Sequence, residues 1–394
     1  MLVPRPYQIE GRDFLASRRY ALLADEMRVG KTPQAILAAH KIDAKRVLTI
    51  CPAIARTQWR MEWVRWSEAC ERDVPMCPVV SYNELVSNLP AYTSFKWDVV
   101  IADEAHYAKN PEAKRTQALY GKGGIGWQTR CMWSLSGTPA PNHAGELWPM
   151  LKAYGVVSVP YDEFVYHYCY YDPRQKRIWG NRPQKLEELR GLLWSVMMRR
   201  KRHEVAPEMP EIGFSTMDVD PVEGVDLTST DIQQIDRENR IEVALAKAPQ
   251  LVEEIENSLT GKLYDHTVVF GYHKEPLYAV RNLLLNKGIT AEVIDGTMSP
   301  AKRDAILHRM HTGQIQALVL QMIAAGTAID ASIARHAYFL ELDYVPANNT
   351  QAANRLVSMD KHDPVTIDVV NWPGTRDDIV QRTLLRKIKT AVVT

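Results

Sequence analysis

The sequence predicts an α/β protein of two tandem lobes, each built on a parallel sheet covered by helices. Three observations lead there. Short β-branched apolar runs alternate with helical stretches, the runs fall into two series, and a charged, proline-containing stretch separates the series. The first series is ALLA near residue 21, RVLTI at 46, VVIAD at 99 and MWSLSG at 132. The second is TVVFGY at 267, AEVIDG at 291, QALVLQ at 316, AYFLEL at 337 and TIDVVNW at 366. Strands that are apolar throughout are those buried on both faces, as parallel sheets are.

A chain of 394 residues is long enough for two cores. The stretch MMRRKRHEVAPEMPEI has little periodicity and reads as the crossing between lobes, with the boundary near residue 204: lobe one is 1–203 and lobe two 204–394. A small helical protrusion is expected near 150–200, and helical spacing without strand signal marks a helical insertion over 231–258. No solenoid-length repeat is visible.

Lys plus Arg (48) balances Asp plus Glu (47), so no global field draws the chain to a polyanion, and any nucleic-acid site is a local basic patch. The five cysteines, Cys51, Cys70, Cys77, Cys131 and Cys169, show neither metal-ligand pairs nor a disulfide framework and read as buried thiols. The histidines lack metal-ligand spacing, so no zinc is assigned. The start has no signal-peptide pattern and no apolar run is long enough to cross a bilayer, so the expectation is a soluble, cytoplasmic protein without a membrane partner.

The chemistry is expected at strand ends. In LLADEMRVGKTPQAI a strand runs into Gly30, Lys31 and Thr32 and then a helix. Such a turn offers backbone N–H groups and the positive helix end to phosphates, with Lys31 reaching the β and γ phosphates and Thr32 offering its hydroxyl to Mg2+. The full GxxxxGK[ST] pattern fails, because Asp25 stands at its first glycine. In VVIADEAHYAKN four apolar residues form a buried strand whose carboxyl end delivers Asp103 and Glu104, where ligands sit in open parallel sheets. Asp103 is assigned to magnesium and Glu104 to the attacking water, with His106 relaying the nucleotide state. MWSLSGTPAPN brings Ser136 and Thr138 to a third strand end, placed to sense the γ phosphate or bridge the lobes.

The order GKT, DEAH, SGTP resembles superfamily-two helicases, and SGTPAPNHAGELW resembles the Swi/Snf family of DNA translocases. Further segments match along nearly the whole chain: PYQIEG, CPAIARTQWRMEW, VVSYNEL, KNPEAKRTQAL, MMRRKRHEVAPEMP, VIDGTMSPAKRDAIL, VLQMIAAGTAID, LELDYVP and QAANR. YHYCYYDPRQKRIWG with LEELRGLLWSVMMRR is most similar to the annealing-helicase branch, and GTRDDIVQRTLLRKIKTAVV resembles the family's closing helix.

The resemblance implies two RecA-like domains with ATP and Mg2+ between them and DNA across both. It implies that Gln8 reads adenine, that Met27, Arg28, Val29, Gly30, Lys31 and Thr32 line the phosphates, and that Gly326 and Asp330 link nucleotide to DNA. Gln351 and Arg355 then face the phosphates from lobe two. Pro52, Ser81 and Tyr82 belong to segments that touch the DNA backbone in that family, and Arg199 and Arg200 lie in a basic run at the hinge that the same polyanion would meet. The expected partner is duplex or branched DNA in preference to RNA, in a monomer of compact bacterial or phage type, with a nuclease, replication or repair protein as a further partner.

Two departures stand out. The family's DEMGLGKT has become DEMRVGKT, putting Arg28 where glycine allows close backbone approach. QAANRLVSMDK carries Ser358 where the family has a second arginine finger, a group worth ~10³ to 10⁵ in turnover in related phosphoryl-transfer systems. Three activities therefore stay open: a duplex translocase or annealing motor, a strand-separating helicase on DNA or RNA, and a nucleotide-gated clamp with weak hydrolysis serving a partner. Trp59, Trp63 and Trp66 share one helical face, and packing against the sheet is the expected use of that face over stacking on bases. Tyr161 to Tyr171 read as a packed aromatic protrusion or a nucleic-acid surface.

Overall fold

A computed structural model of the chain describes residues 2–175, 177–220, 237–322, 329–358, 361, 363–374, 378, 381 and 382. It divides into two compact units, Met1–Pro207 and Glu208–Thr394. The first contains strands β1 (Tyr20–Leu23), β2 (Val47–Cys51), β3 (Val79–Ser81), β4 (Trp97–Asp103), β5 (Thr129–Leu135), β6 (Cys169–Asp172), β7 (Arg177–Asn181) and β8 (Met197–Met198). The second contains β9 (Ile212–Asp218), β10 (Thr267–Gly271), β11 (Ala291–Ile294), β12 (Ala317–Gln321), β13 (His336–Phe339) and β14 (Val365–Asn371).

Each unit holds a six-stranded sheet, ordered β3-β2-β4-β5-β1-β8 in the first and β11-β12-β10-β13-β14-β9 in the second. All pairings within both sheets are parallel. The chain thus has the two-lobed parallel-sheet α/β architecture that the alternating runs predict, and its two sheets agree with the tandem RecA-like domains that the resemblance implies. The reason is visible in the side chains. Successive strand residues point to opposite faces, and in the first sheet both sets are apolar: Leu22, Leu48, Ile50, Val100 and Met132 join one core, and Leu23, Val47, Val99, Ile101 and Trp133 the other. A sheet apolar on both faces must be covered on both, and each fully buried aliphatic side chain contributes ~1.5–3 kcal/mol to that arrangement. In the second unit Val269, Val293, Val319 and Tyr338 pack against the helices Arg237–Thr260 and Lys274–Asn286.

Three sheet strands lie outside the apolar runs. β3 has three residues and β8 two, too short to show a period, and β9 is an edge strand with most of its residues partly or fully exposed. Edge strands need only one buried face and carry polar residues between. β9 nonetheless pairs with β14 over seven residues, from Ile212↔Val365 to Asp218↔Asn371.

The protrusion requires a correction. Between the helices Tyr161–Tyr168 and Leu186–Leu193, β6 and β7 form an antiparallel hairpin, so this part is not helical throughout. The helix Arg237–Thr260 occupies most of the segment read as a helical insertion, and 231–236 lie outside the described residues. The C-terminal segment read as a closing helix falls mostly outside them too. All five cysteines are free; Cys51, Cys131 and Cys169 are buried, and Cys70 and Cys77 only half-buried. Among the described residues no helix is long and apolar enough to cross a membrane.

Candidate functional site

In the first unit β1, β4 and β5 end side by side. Beyond β1 the chain turns through Gly30, at φ 76°, into the helix Lys31–Lys41, and Gly30 caps its N-terminus. A left-handed residue turns the first N–H groups of the helix outward, the geometry that receives an anion. Thr32 stands in the first turn and Val29 is fully buried, while Met27 and Arg28 are half-buried. The Lys31 ammonium folds back onto the loop, donating to the carbonyls of Asp25 at 2.8 Å and Glu26 at 3.0 Å. Burial lowers its pKa, the carboxylates of Glu104, Asp25 and Asp103 oppose that, and the nearby charge of Arg199 adds to the lowering.

The departure at Arg28 has a structural counterpart. Arg28 sits at φ 68°, in the left-handed region that suits glycine and costs other residues ~1–2 kcal/mol. Asp25, where the phosphate-loop pattern has its first glycine, has no exposed surface and is the anchor of a buried network. Arg200 donates to it from Nε at 3.1 Å and Nη2 at 2.5 Å, and Gln34 from Nε2 at 3.2 Å. Arg200 also donates to the Tyr7 carbonyl at 2.6 Å and the Gln34 Oε1 at 2.8 Å. Gly11 makes room for this: a Cβ there would lie 1.6 Å from Gln34 Oε1 and 2.9 Å from Arg200 Nη2. Gln8, one turn earlier, is buried and accepts from the Arg5 amide at 2.9 Å.

At the end of β4, Asp103 accepts from Trp59 Nε1 at 2.7 Å and from the Glu104 amide at 3.0 Å. Burial, and then the Glu104 carboxylate, push the Asp103 carboxyl up to about 6 against those donors and Lys31. Glu104 itself takes a left-handed turn at φ 50°, which carries its side chain to His106: Nδ1 lies 3.3 Å from Glu104 Oε2 and 3.0 Å from Ser136 Oγ. Burial holds the His106 imidazole down at about 4, so the ring is neutral near pH 7. Ser136 Oγ also accepts from the Thr138 amide at 3.2 Å. A Cβ on Gly137 would stand 3.4 Å from Lys31 Nζ, so the β5 turn closes directly over the lysine. The structure therefore brings Lys31, Asp103, Glu104, His106, Ser136 and Thr138 into one linked group.

These residues fit a magnesium nucleotide. Among the described residues no cluster of three or more His, Cys, Asp or Glu offers a protein-only metal cage. Mg2+ needs none: one carboxylate such as Asp103 and a hydroxyl such as Thr32 would hold it together with water and phosphate oxygens. A buried acid held up by a neighbouring carboxylate is where a divalent cation gains most.

Several residues expected at DNA have partners within the first unit. Tyr82 is core: its hydroxyl donates to the Asp103 carbonyl at 2.8 Å and its ring stacks on Tyr107. Ser81 caps the helix Tyr82–Ser87 by accepting from the Glu84 amide, and Pro52 is buried at the start of a 3-10 turn. Arg200 is committed to Asp25 with its side chain 13% exposed, and Arg199 lies near enough to act on Lys31. The signal for Arg200 was composition alone, and a basic run does not reveal which of its members turns inward to a buried acid. Trp59 was expected to pack and does, at 2% exposure, but its bond to Asp103 has no signature in helical spacing.

In the second unit Gln351 lies on the helix Pro346–Ala353 and Arg355 in the 3-10 turn Asn354–Leu356 that follows. The Ala331 amide donates to the Arg355 carbonyl at 3.1 Å, holding that turn against the segment of Asp330. Lys361 pins the same region, donating to the carbonyls of Ser332, Ala334 and Leu356, beside Ser358 whose carbonyl accepts from the Lys361 amide. Gly326 lies outside the described residues.

Parallel sheets with a glycine-lysine-threonine helix start, an Asp-Glu strand end and a hydroxyl-lined third strand end define an ATPase of the two-domain helicase class. Residues 71–222 match the SNF2-related domain and residues 247–359 the helicase conserved C-terminal domain. By these two matches the chain is similar to SNF2-related ATPases. It is 28% identical over 98% of its length to a SWI/SNF-related matrix-associated actin-dependent regulator of chromatin subfamily A-like protein 1 of Xenopus tropicalis, covering 44% of that protein. It is 25% identical over 97% of its length to the mouse DNA annealing helicase and endonuclease ZRANB3, covering 40% of it. The chain thus spans less than half the length of these relatives. A solved SWI2/SNF2 ATPase core of Sulfolobus solfataricus in complex with dsDNA aligns over 99% of the chain and 92% of its own, with 19% identity and a TM-score of 0.48.

Proposed function

We propose that the chain hydrolyses ATP in response to DNA and uses the cycle to move along or remodel duplex or branched DNA. The observation that carries this reading is the linked group from Lys31 through Asp103, Glu104 and His106 to Ser136 and Thr138. In it Lys31 leaves the Asp25 and Glu26 carbonyls for the phosphates. Asp103 and Thr32 would hold Mg2+, which would supply charge neutralisation at the phosphate oxygens. Glu104 orients and deprotonates the attacking water, and neutral His106 passes the state of Glu104 to Ser136 and the β5 turn. Gln8 reads adenine. The relatives named as annealing helicases support DNA over RNA.

Steady-state hydrolysis with no polymer, single-stranded, duplex and forked DNA, and RNA tests this. Stimulation by duplex or forked DNA well above RNA is the expected result, and equal stimulation by RNA refutes it. Ser358 in place of an arginine finger favours a second reading, a clamp that binds ATP and DNA but turns over slowly. Tight ATP-dependent DNA binding with unstimulated hydrolysis would identify it.

A further inference from the structure

The hairpin of the first unit displays aromatic surface that its core does not use. Tyr170 of β6 pairs with Gly180 of β7, and a register shift between Tyr170 and Tyr171 leaves Trp179 as the extra residue beside them. Tyr166 is 61% exposed, Tyr170 47% and Trp179 58%. The Arg182 guanidinium lies 5.3 Å from the centre of the Tyr166 ring and 5.5 Å from that of Tyr170. It is fixed there: Arg182 Nε donates to the Cys169 carbonyl at 3.0 Å and its amide to the Tyr168 carbonyl at 2.8 Å.

The charge of this element departs from that of the whole. Cys169–Lys185 carries Arg174, Lys176, Arg177, Arg182 and Lys185 against Asp172 alone, in a chain whose charges otherwise cancel. Asp172 is engaged by the turn amides of Arg174 and Gln175, and the neighbouring Asp162 by the Tyr171 hydroxyl. Arg174 and Arg177 are exposed. Flat rings interleaved with cations suit a polyanion with accessible π-faces. A duplex keeps its bases stacked inside and offers such rings nothing, whereas a protein partner would be met by apolar surface without this excess of positive charge.

We propose that Tyr166, Tyr170, Trp179 and Arg182 form a stacking platform for unpaired bases of a DNA strand, separate from the nucleotide site. This rests on the reading that the chain acts on DNA, and it gives the chain a means of favouring frayed or branched DNA over plain duplex. Base stacking on such rings is worth ~1–3 kcal/mol per base, about five- to hundred-fold in affinity.

The test uses the full chain without nucleotide and labelled oligo-dT, oligo-U and a blunt duplex, read by fluorescence anisotropy. Trp179→Ala and Tyr170→Ala are each expected to weaken oligo-dT binding by about five-fold or more and to lower the ratio of oligo-dT to duplex affinity. Tyr170→Phe and Trp179→Phe, which keep a ring, are expected to retain the parental ratio. An unchanged ratio in the Tyr170→Ala/Trp179→Ala double variant overturns the proposal, as does tighter binding of oligo-U than of oligo-dT. Duplex-stimulated hydrolysis of the parent protein is measured separately: its failure refutes the motor reading, while the oligo-dT ratios still decide the platform.

Discussion

Arg200→Ala removes the cation that neutralises a fully buried carboxylate next to the phosphate loop. Asp25 has no exposed surface, and the Arg200 side chain delivers two of its hydrogen bonds, at 3.1 and 2.5 Å. Breaking one side of a buried ion pair costs ~3–5 kcal/mol, because the remaining charge stays buried. Asp25 keeps the Arg200 backbone amide at 3.1 Å and Gln34 Nε2 at 3.2 Å, so the loss belongs at the lower end, about 3 kcal/mol. Urea unfolding followed by tryptophan fluorescence reads it directly, since all ten tryptophans except Trp372 lie in the first unit. Asp25→Asn in the same background completes a cycle, and a coupling of about 2–3 kcal/mol is expected for two groups in contact. Lys31 rests on the Asp25 and Glu26 carbonyls, so the variant also raises the KM for ATP. A loss under about 1 kcal/mol with coupling near zero would refute the claim that this pair anchors the loop.

Gly11→Ala drives a methyl into Gln34 and Arg200, and overpacking of this kind costs ~1–3 kcal/mol; a parental urea midpoint would contradict the contact distances. Glu104→Gln keeps shape but removes the carboxylate, so hydrolysis should fall ~10²- to 10⁴-fold while ATP still binds in equilibrium titration, whereas Lys31→Ala should weaken binding itself. Arg28→Gly relieves a left-handed arginine (~1–2 kcal/mol) but loosens the unfolded chain (~0.5–1 kcal/mol), so stability should hold or rise slightly. If Arg28 supplies the charge missing at Ser358, turnover with saturating DNA falls strongly in both Arg28→Gly and Arg28→Ala, and Ser358→Arg restores part of it; unchanged turnover in Arg28→Ala refutes that role for Arg28.

The sequence by itself determined the architecture and which residues stand at the strand ends. Apolar runs such as VVIAD and TVVFG are buried on both faces, and only parallel sheets covered by helices bury both, so the fold class followed from composition along short stretches. Gly30 and Lys31 at a helix start, and Asp103 and Glu104 at a strand end, were legible because glycine and charged residues following an apolar run mark such turns. Tertiary structure alone decided the rest, because it depends on partners far apart in the chain. Asp25 meets Arg200 across 175 positions, Trp59 meets Asp103 across 44, and His106 meets Ser136 across 30. No local period encodes such pairings, which is why the bonds of Tyr82 to the Asp103 carbonyl and of Arg200 to Asp25 were not legible in the sequence. The hairpin of β6 and β7 was hidden for a related reason: its aromatic residues are compatible with either a packed helix or an exposed sheet, and only the backbone pairing chose the second.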